Sequence, residues 1–257
     1  MDNALSTQQI HQFINDGFVR IDKAFSSTTA VAARDIMWND LGVDRHDPAT
    51  WTKPVVRLGW YSQQPFIDAA NSPRLHTIFD QLIGKDRWEP RGNMGTFPVR
   101  FPSPFDPGDT GWHVDASFAP SNNASFADWR VNIKSKGRAL LMLFLFSDVD
   151  EHDAPTRIRI GSHMDVARVL KPVGDEGLSF MELADTLSTM PARQEAQATG
   201  PAGTIYLCHP FIVHAAQPHR GTAPRFLAQP PLVLKGELDL ESTRPAPVAR
   251  AIQIALA

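Results

Sequence analysis

Apolar positions recur at helical spacing in three stretches of the first third of the chain. Ile10, Phe13 and Ile14 form one such face, which predicts a helix capped by Ser6 or Thr7, running to about residue 16 and ended by Gly17. A second helix is predicted over 28–41, closed by Gly42. A third follows Pro73, carries Leu75, Ile78, Phe79 and Leu82, and stops at Gly84. Between the first two, "FVRI" reads as a short strand.

From about Trp88 the pattern changes. Short β-prone runs alternate with turn residues: "GTFPVRF", "GWHVDASF", "RALLMLFLFSDV", "TRIRI", "GTIYLCH" and "RFLAQPPLVL". Most of the 21 prolines lie between these runs. Many short strands with Gly/Pro punctuation indicate a sandwich or barrel rather than a parallel α/β sheet. "TRIRI" alternates charge with isoleucine, so one face is apolar. "ALLMLFLF", residues 139–146, is too short to cross a bilayer and reads as a buried strand. Residues 164–199 read as a helical or loop insert. The expected organisation is one domain: helical over 1–87, a β core over 88–240, and a Pro/Ala-rich, loosely packed tail over 241–257.

Composition narrows the function classes. Hydrophobic residues make up 42 % and charged residues 21 % of 257, enough apolar material for a sizeable core. A net charge of −3 gives no general drive toward nucleic acid or an anionic membrane. The single cysteine, Cys208, rules out an internal disulfide and reads as a small buried residue. "MDNALSTQQI" lacks the basic start and apolar run of a secretion signal, so the expected location is cytoplasmic.

The candidate chemistry begins in "TGWHVDASFA". On a strand, His113 and Asp115 would point to one face and present two ligands to one metal ion. Of the other histidines, His11, His46 and His76 read as surface residues, and His152 sits in the acidic turn "DVDEHD". The informative segment is "GPAGTIYLCHPFIVHAAQPHRGTAPRFLAQPPL", where a strand is followed by His214 and, eleven positions later, by Arg225. His113-Val114-Asp115, then His214, then Arg225, resembles the phytanoyl-CoA dioxygenase (PhyH) family of Fe(II)- and 2-oxoglutarate-dependent oxygenases. "LSTQQIHQFINDGFVRI" is similar to the family's N-terminal helix and strand. "EHDAPTRIRIGSH" is similar to the strand that usually ends in Pro-Gly-Ser-His, with isoleucine here in place of that proline. "GPAGTIYL" is similar to the turn and strand before the distal histidine.

The resemblance implies a double-stranded β-helix, a cupin-like jelly roll that is mainly β with N-terminal helices. It implies that His113, Asp115 and His214 hold Fe(II) and leave three positions open. It implies that 2-oxoglutarate takes two of these, with Arg225 gripping its distal carboxylate, and that dioxygen takes the last. Of Arg57, Arg100, Arg157 and Arg159, Arg100, in "PVRFP" just before the loop to His113, is the one expected close to the metal end, binding the C1 carboxylate of 2-oxoglutarate or an anionic group of the substrate. Trp112, Phe118, Trp129, Arg57 and Arg157 are candidate walls of a pocket for a small-molecule substrate. His163 and His219 are candidates for outer hydrogen bonds to the centre. Halogenating relatives replace the carboxylate ligand with a small residue, so Asp115 implies hydroxylation or a related oxidation. Two other readings stand beside this one: a non-catalytic cupin-like protein that binds a metal or metabolite, and a zinc hydrolase, which would lack an HExxH helix.

Overall fold

The computed structural model describes residues 4–257, apart from the side chain of residue 126. Residues 1–3, the start of the segment read for a secretion signal, lie outside it. Helix α1 (Thr7–Asp16) opens with a capping box: Ser6 accepts from the Gln9 N–H, and the Gln9 side chain accepts from the Ser6 N–H. It ends at Gly17, whose φ of 85° is left-handed and where a Cβ would run into the His163 ring. Two constraints therefore require glycine there. The chain continues into β1 (Phe18–Ile21), α2 (Ser27–Asp40), β2 (Val55–Leu58), α3 (Gln64–Ala70) and α4 (Pro73–Ile83). Helix α4 has Ser72 as cap and proline in its first turn, and buries Leu75, Ile78, Phe79, Leu82 and Ile83. The three periodic faces are thus helices, with bounds within a residue or two of expectation.

The remainder runs β3 (Phe97–Arg100), β4 (Arg130–Val131), β5 (Leu140–Leu145), β6 (Arg157–Arg159), α5 (Ser162–Leu170), β7 (Leu178–Ser179), α6 (Phe180–Leu187), β8 (Glu195–Gln197), β9 (Ile205–Cys208), β10 (His214–Ala215), β11 (Leu227–Ala228), β12 (Pro231–Leu232) and α7 (Pro247–Leu256). One sheet has the order β1-β9-β5-β11, with β12 also on β5; a second has the order β10-β6-β8. All their pairings are antiparallel, as a jelly roll requires. Every residue of β5 is buried, which explains its unbroken apolar run: it is central in its sheet and covered on both faces. Ile158 of β6 is fully buried between two partly exposed arginines, the one-sided alternation read in "TRIRI". The insert contains α5 and α6. Cys208 lies buried in β9, and burial pushes its thiol well above the ordinary range.

Two expectations are corrected. The tail is not loosely packed: α7 lies against α5, α1 and α4 and buries Val248, Ala249, Ala251, Ile252 and Ala255. Proline at its start and alanines along it favour helix, and the apolar face recurs every three or four residues. His76 is not a surface residue. It is half-buried, 4.8 Å from the Trp88 ring, with Nε2 3.3 Å from Asn71 Oδ1. Among the described residues no helix is long and apolar enough to cross a membrane.

Candidate metal centre

His113 and Asp115 do not lie on a regular strand. His113 is held by one isolated bridge, in which its N–H donates to the His214 carbonyl and the His214 N–H donates back, both at 3.0 Å. This exchange sets the two imidazole centroids 4.4 Å apart. Upstream of His214, the Ser162 hydroxyl accepts from the Val213 N–H at 2.9 Å and donates to the Arg159 carbonyl at 2.7 Å. Ser162 thereby pins β10 to the end of β6 and fixes where His214 leaves the backbone.

The tautomers follow from the carbonyls beside the rings. His113 Nδ1 lies 2.9 Å from the Gly111 carbonyl and His214 Nδ1 3.2 Å from that of Ile212. Each Nδ1–H therefore donates, and each Nε2 lone pair is left for a ligand. Both Nε2 atoms face Asp115 Oδ1, at 3.6 Å and 3.7 Å. One donor atom from each of the three residues lies within 4.8 Å of the others. His214 Nε2 is buried with no hydrogen-bond partner, an arrangement that is costly unless a Lewis acid takes the lone pair. Burial, and then His113, pushes the His214 pKa down to about 4, so the ring is neutral and ready to ligate. Burial alone would raise the Asp115 carboxyl. The Arg138 guanidinium, bonded to it, opposes that and holds Asp115 below the usual carboxylate range. Two neutral imidazoles and one carboxylate suit Fe(II).

The three donors open into a cavity of about 600 Å³. Arg225 lines it, brought there by a second isolated bridge: Arg225 N–H donates to the Arg100 carbonyl at 2.8 Å, and Arg100 N–H donates back at 3.1 Å. The Arg225 guanidinium donates to the carbonyls of Ala154 and, at 3.3 Å, Pro98. Its Nε has no partner, and burial, then Arg100, pushes its pKa down to about 9. It is still a cation at neutral pH. Arg100 also lines the cavity, 2 % exposed, with Nη2 2.7 Å from both oxygens of Asp109. Arg57 pairs with the same carboxylate from the mouth.

Of the other pocket candidates, Trp129 and Arg57 line the cavity. Trp112, Phe118 and Arg157 do not. The Trp112 ring lies 4.6 Å and 4.3 Å from the guanidinium carbons of Arg157 and Arg159. Arg157 donates to the carbonyls of Thr110 and Ala216, at 3.1 and 3.3 Å. Phe118 bridges to Arg130, under Lys136. His163 is no neighbour of the centre either: its Nε2 is 2.9 Å from the Ile14 carbonyl, so it secures α1. His219 is buried with Nε2 3.9 Å from Asp153 Oδ1. Two residues that matter were not singled out from the sequence. Arg138 donates to Asp115 Oδ2 and to the Ala116 carbonyl, both at 3.0 Å. Asp109 is the carboxylate between two cavity arginines. The only signal for Arg138 is a charge directly before an apolar run, the last of three in "KSKGR".

The family model for phytanoyl-CoA dioxygenase (PhyH) matches residues 13–227. No curated protein sequence matches the chain. Among solved structures, the fold is similar to the non-heme alpha ketoglutarate dependent carbocyclase SnoK from nogalamycin biosynthesis, at 18 % identity and TM-score 0.58 over 91 % of this chain and 85 % of that one. It is also similar to HygX from Streptomyces hygroscopicus, solved with nickel, 2-oxoglutarate and hygromycin B, at 16 % identity and TM-score 0.55 over 88 % and 86 %. EctD from S. alaskensis, solved with 2-oxoglutarate and 5-hydroxyectoine, matches at 21 % identity and TM-score 0.57 over 92 % and 78 %. With the model covering most of its length and a His-Asp-His site that fits Fe(II), the chain belongs to the phytanoyl-CoA dioxygenase family of Fe(II)- and 2-oxoglutarate-dependent oxygenases.

Proposed function

We propose that this oxygenase hydroxylates a small metabolite, with His113, Asp115 and His214 as the iron ligands and Arg225 as the anchor for the distal carboxylate of 2-oxoglutarate. The observation that carries the reading is the convergence of these four residues on one cavity, with the His214 Nε2 buried and unpartnered. Iron(II) with 2-oxoglutarate supplies the oxidising chemistry, coupling reduction of dioxygen and decarboxylation to succinate with oxidation of a substrate C–H bond. The chain's own residues do the rest. The two Nδ1–H donors fix both rings so that Nε2 faces inward. Arg138 holds one oxygen of Asp115 and leaves the other toward the imidazoles. Arg225 keeps its proton and offers a planar fork to a carboxylate in a site shielded from water.

Hydroxylation is favoured by the intact carboxylate ligand, although similar folds include a carbocyclase and an epimerase. The test is anaerobic addition of Fe(II) and 2-oxoglutarate, expected to give a weak visible charge-transfer band, followed by succinate release on admitting air. Asp115→Ala should abolish band and succinate together. A variant that keeps both overturns the ligand assignment. Arg225→Ala should weaken 2-oxoglutarate binding by tenfold or more, on the order expected for losing a charge-assisted pair, with iron binding largely kept.

A further inference from the structure

The charged side chains lining the cavity do not cancel. Four guanidinium groups face it, those of Arg57, Arg100, Arg138 and Arg225, against two carboxylates, Asp109 and Asp115. Under the Fe(II)/2-oxoglutarate reading, the metal's two positive charges and the co-substrate's two negative ones offset each other, so the surplus of two positive charges remains. Its location can be followed residue by residue. Arg225 is assigned to the co-substrate. Asp115 is shared by Arg138 and the metal position. Elsewhere in the lining one carboxylate, Asp109, serves both Arg57 and Arg100. These three groups leave one cation unmatched, and the Arg100 Nε is buried without a partner.

Arg57 is solvated and is not forced to pair, but it stands beside the buried Arg100, and clefts lined by one sign of charge concentrate ligands of the other. The same part of the lining shows that a carboxylate suits it, because Asp109 already lies 2.7 Å from Arg100 Nη2 through both its oxygens. Trp60 and Trp129 line the same space and offer apolar surface to the rest of a small organic molecule. The electropositive character extends beyond the arginines themselves. Burial, and then Arg100, lowers the Arg225 pKa, and both arginines add to the burial that lowers that of His219.

We propose that the primary substrate is a small organic carboxylate, its carboxylate received by Arg57 and Arg100 in the cavity that the metal ligands also line. This rests on the Fe(II)/2-oxoglutarate reading for the charge count, and the two fail separately in the following test. The protein is held anaerobically with Fe(II) and saturating 2-oxoglutarate. The visible band reports the co-substrate complex. A panel of small aromatic and aliphatic carboxylic acids, each beside its primary amide, is then titrated against tryptophan fluorescence.

The acids should bind at least about tenfold more tightly than their amides, the difference expected of a charge-assisted pair. Their binding should weaken as salt rises. Arg57→Gln, at a side chain open to solvent and so harmless to folding, should erase most of the acid preference while leaving the band in place. Equal or tighter binding of the amides overturns the proposal, as does an intact band with no acid binding anywhere in the panel, or an acid preference that survives Arg57→Gln unchanged. An absent band counts against the co-substrate reading. In that case Arg225 is also open to the acids, so an acid preference supports the proposal only if Arg57→Gln erases it and overturns it if Arg57→Gln leaves it unchanged.

Discussion

At the scale of single residues, the centre depends on which atoms already have partners. Asp115 is divided between Arg138 on one oxygen and the two imidazoles on the other. Arg138→Gln removes the charge but keeps a donor. It should lower metal affinity roughly ten- to hundredfold without unfolding the chain, which a Co(II) titration followed by absorbance would read. His163 and His214 are both neutral in the fold, their pKa values lowered by burial from 6.5 to about 4. The unfolded chain therefore takes up protons that the fold refuses. Stability of the metal-free protein should be full above about pH 6.5 and decline as pH falls toward about 4, seen as a falling melting temperature across that window. His113, Asp115, His214 and Arg225 were legible because their order and spacing form a pattern. Arg138 and Asp109 were not, because their importance lies in what they touch across the fold, and a charge at a strand edge or in a proline-rich loop has the same local signature whether solvated or buried.

At the scale of elements, legibility followed local chemistry. Helices α1 and α4 carry caps, a stop and an apolar face in the sequence itself, and they formed where expected. Helix α7 has no side-chain cap and only a proline at its start and an apolar face, and the proline and alanine content that suggested a loose tail is what builds it. Ile252 is 1 % exposed on its inner face. Ile252→Ala should cost about 2–5 kcal/mol, measured as a lower denaturant midpoint at unchanged slope. The segment from His113 to Asp115 shows the reverse case. Alternation suggested a strand, but only His113 pairs, through its bridge to His214. The two ligands still converge, because one reciprocal hydrogen-bonded pair and the Arg138 contact do the orienting that a longer ladder would have done.

At the scale of the whole molecule, two antiparallel sheets bring together residues more than a hundred positions apart, and two isolated bridges, His113 with His214 and Arg100 with Arg225, close the metal end. The strand-and-turn texture made this class of fold readable, whereas the pairing order depends on long-range contacts that no local run encodes. Since the ligands come from both ends of that β core, metal binding should stabilise the fold as a unit. At a hundredfold excess over the dissociation constant the gain is about 2.7 kcal/mol, and chelation should lower the melting temperature accordingly. The lone cysteine offers a practical consequence. Cys208 is buried at the centre of a sheet with its thiol held protonated, so maleimides and nitroxide reagents will pass it by. Phe105→Cys, at a side chain 66 % exposed in the loop between Arg100 and Asp109, would then be the sole reactive handle. A fluorophore or spin label there could follow that loop in the native background, with no need to engineer the natural thiol away.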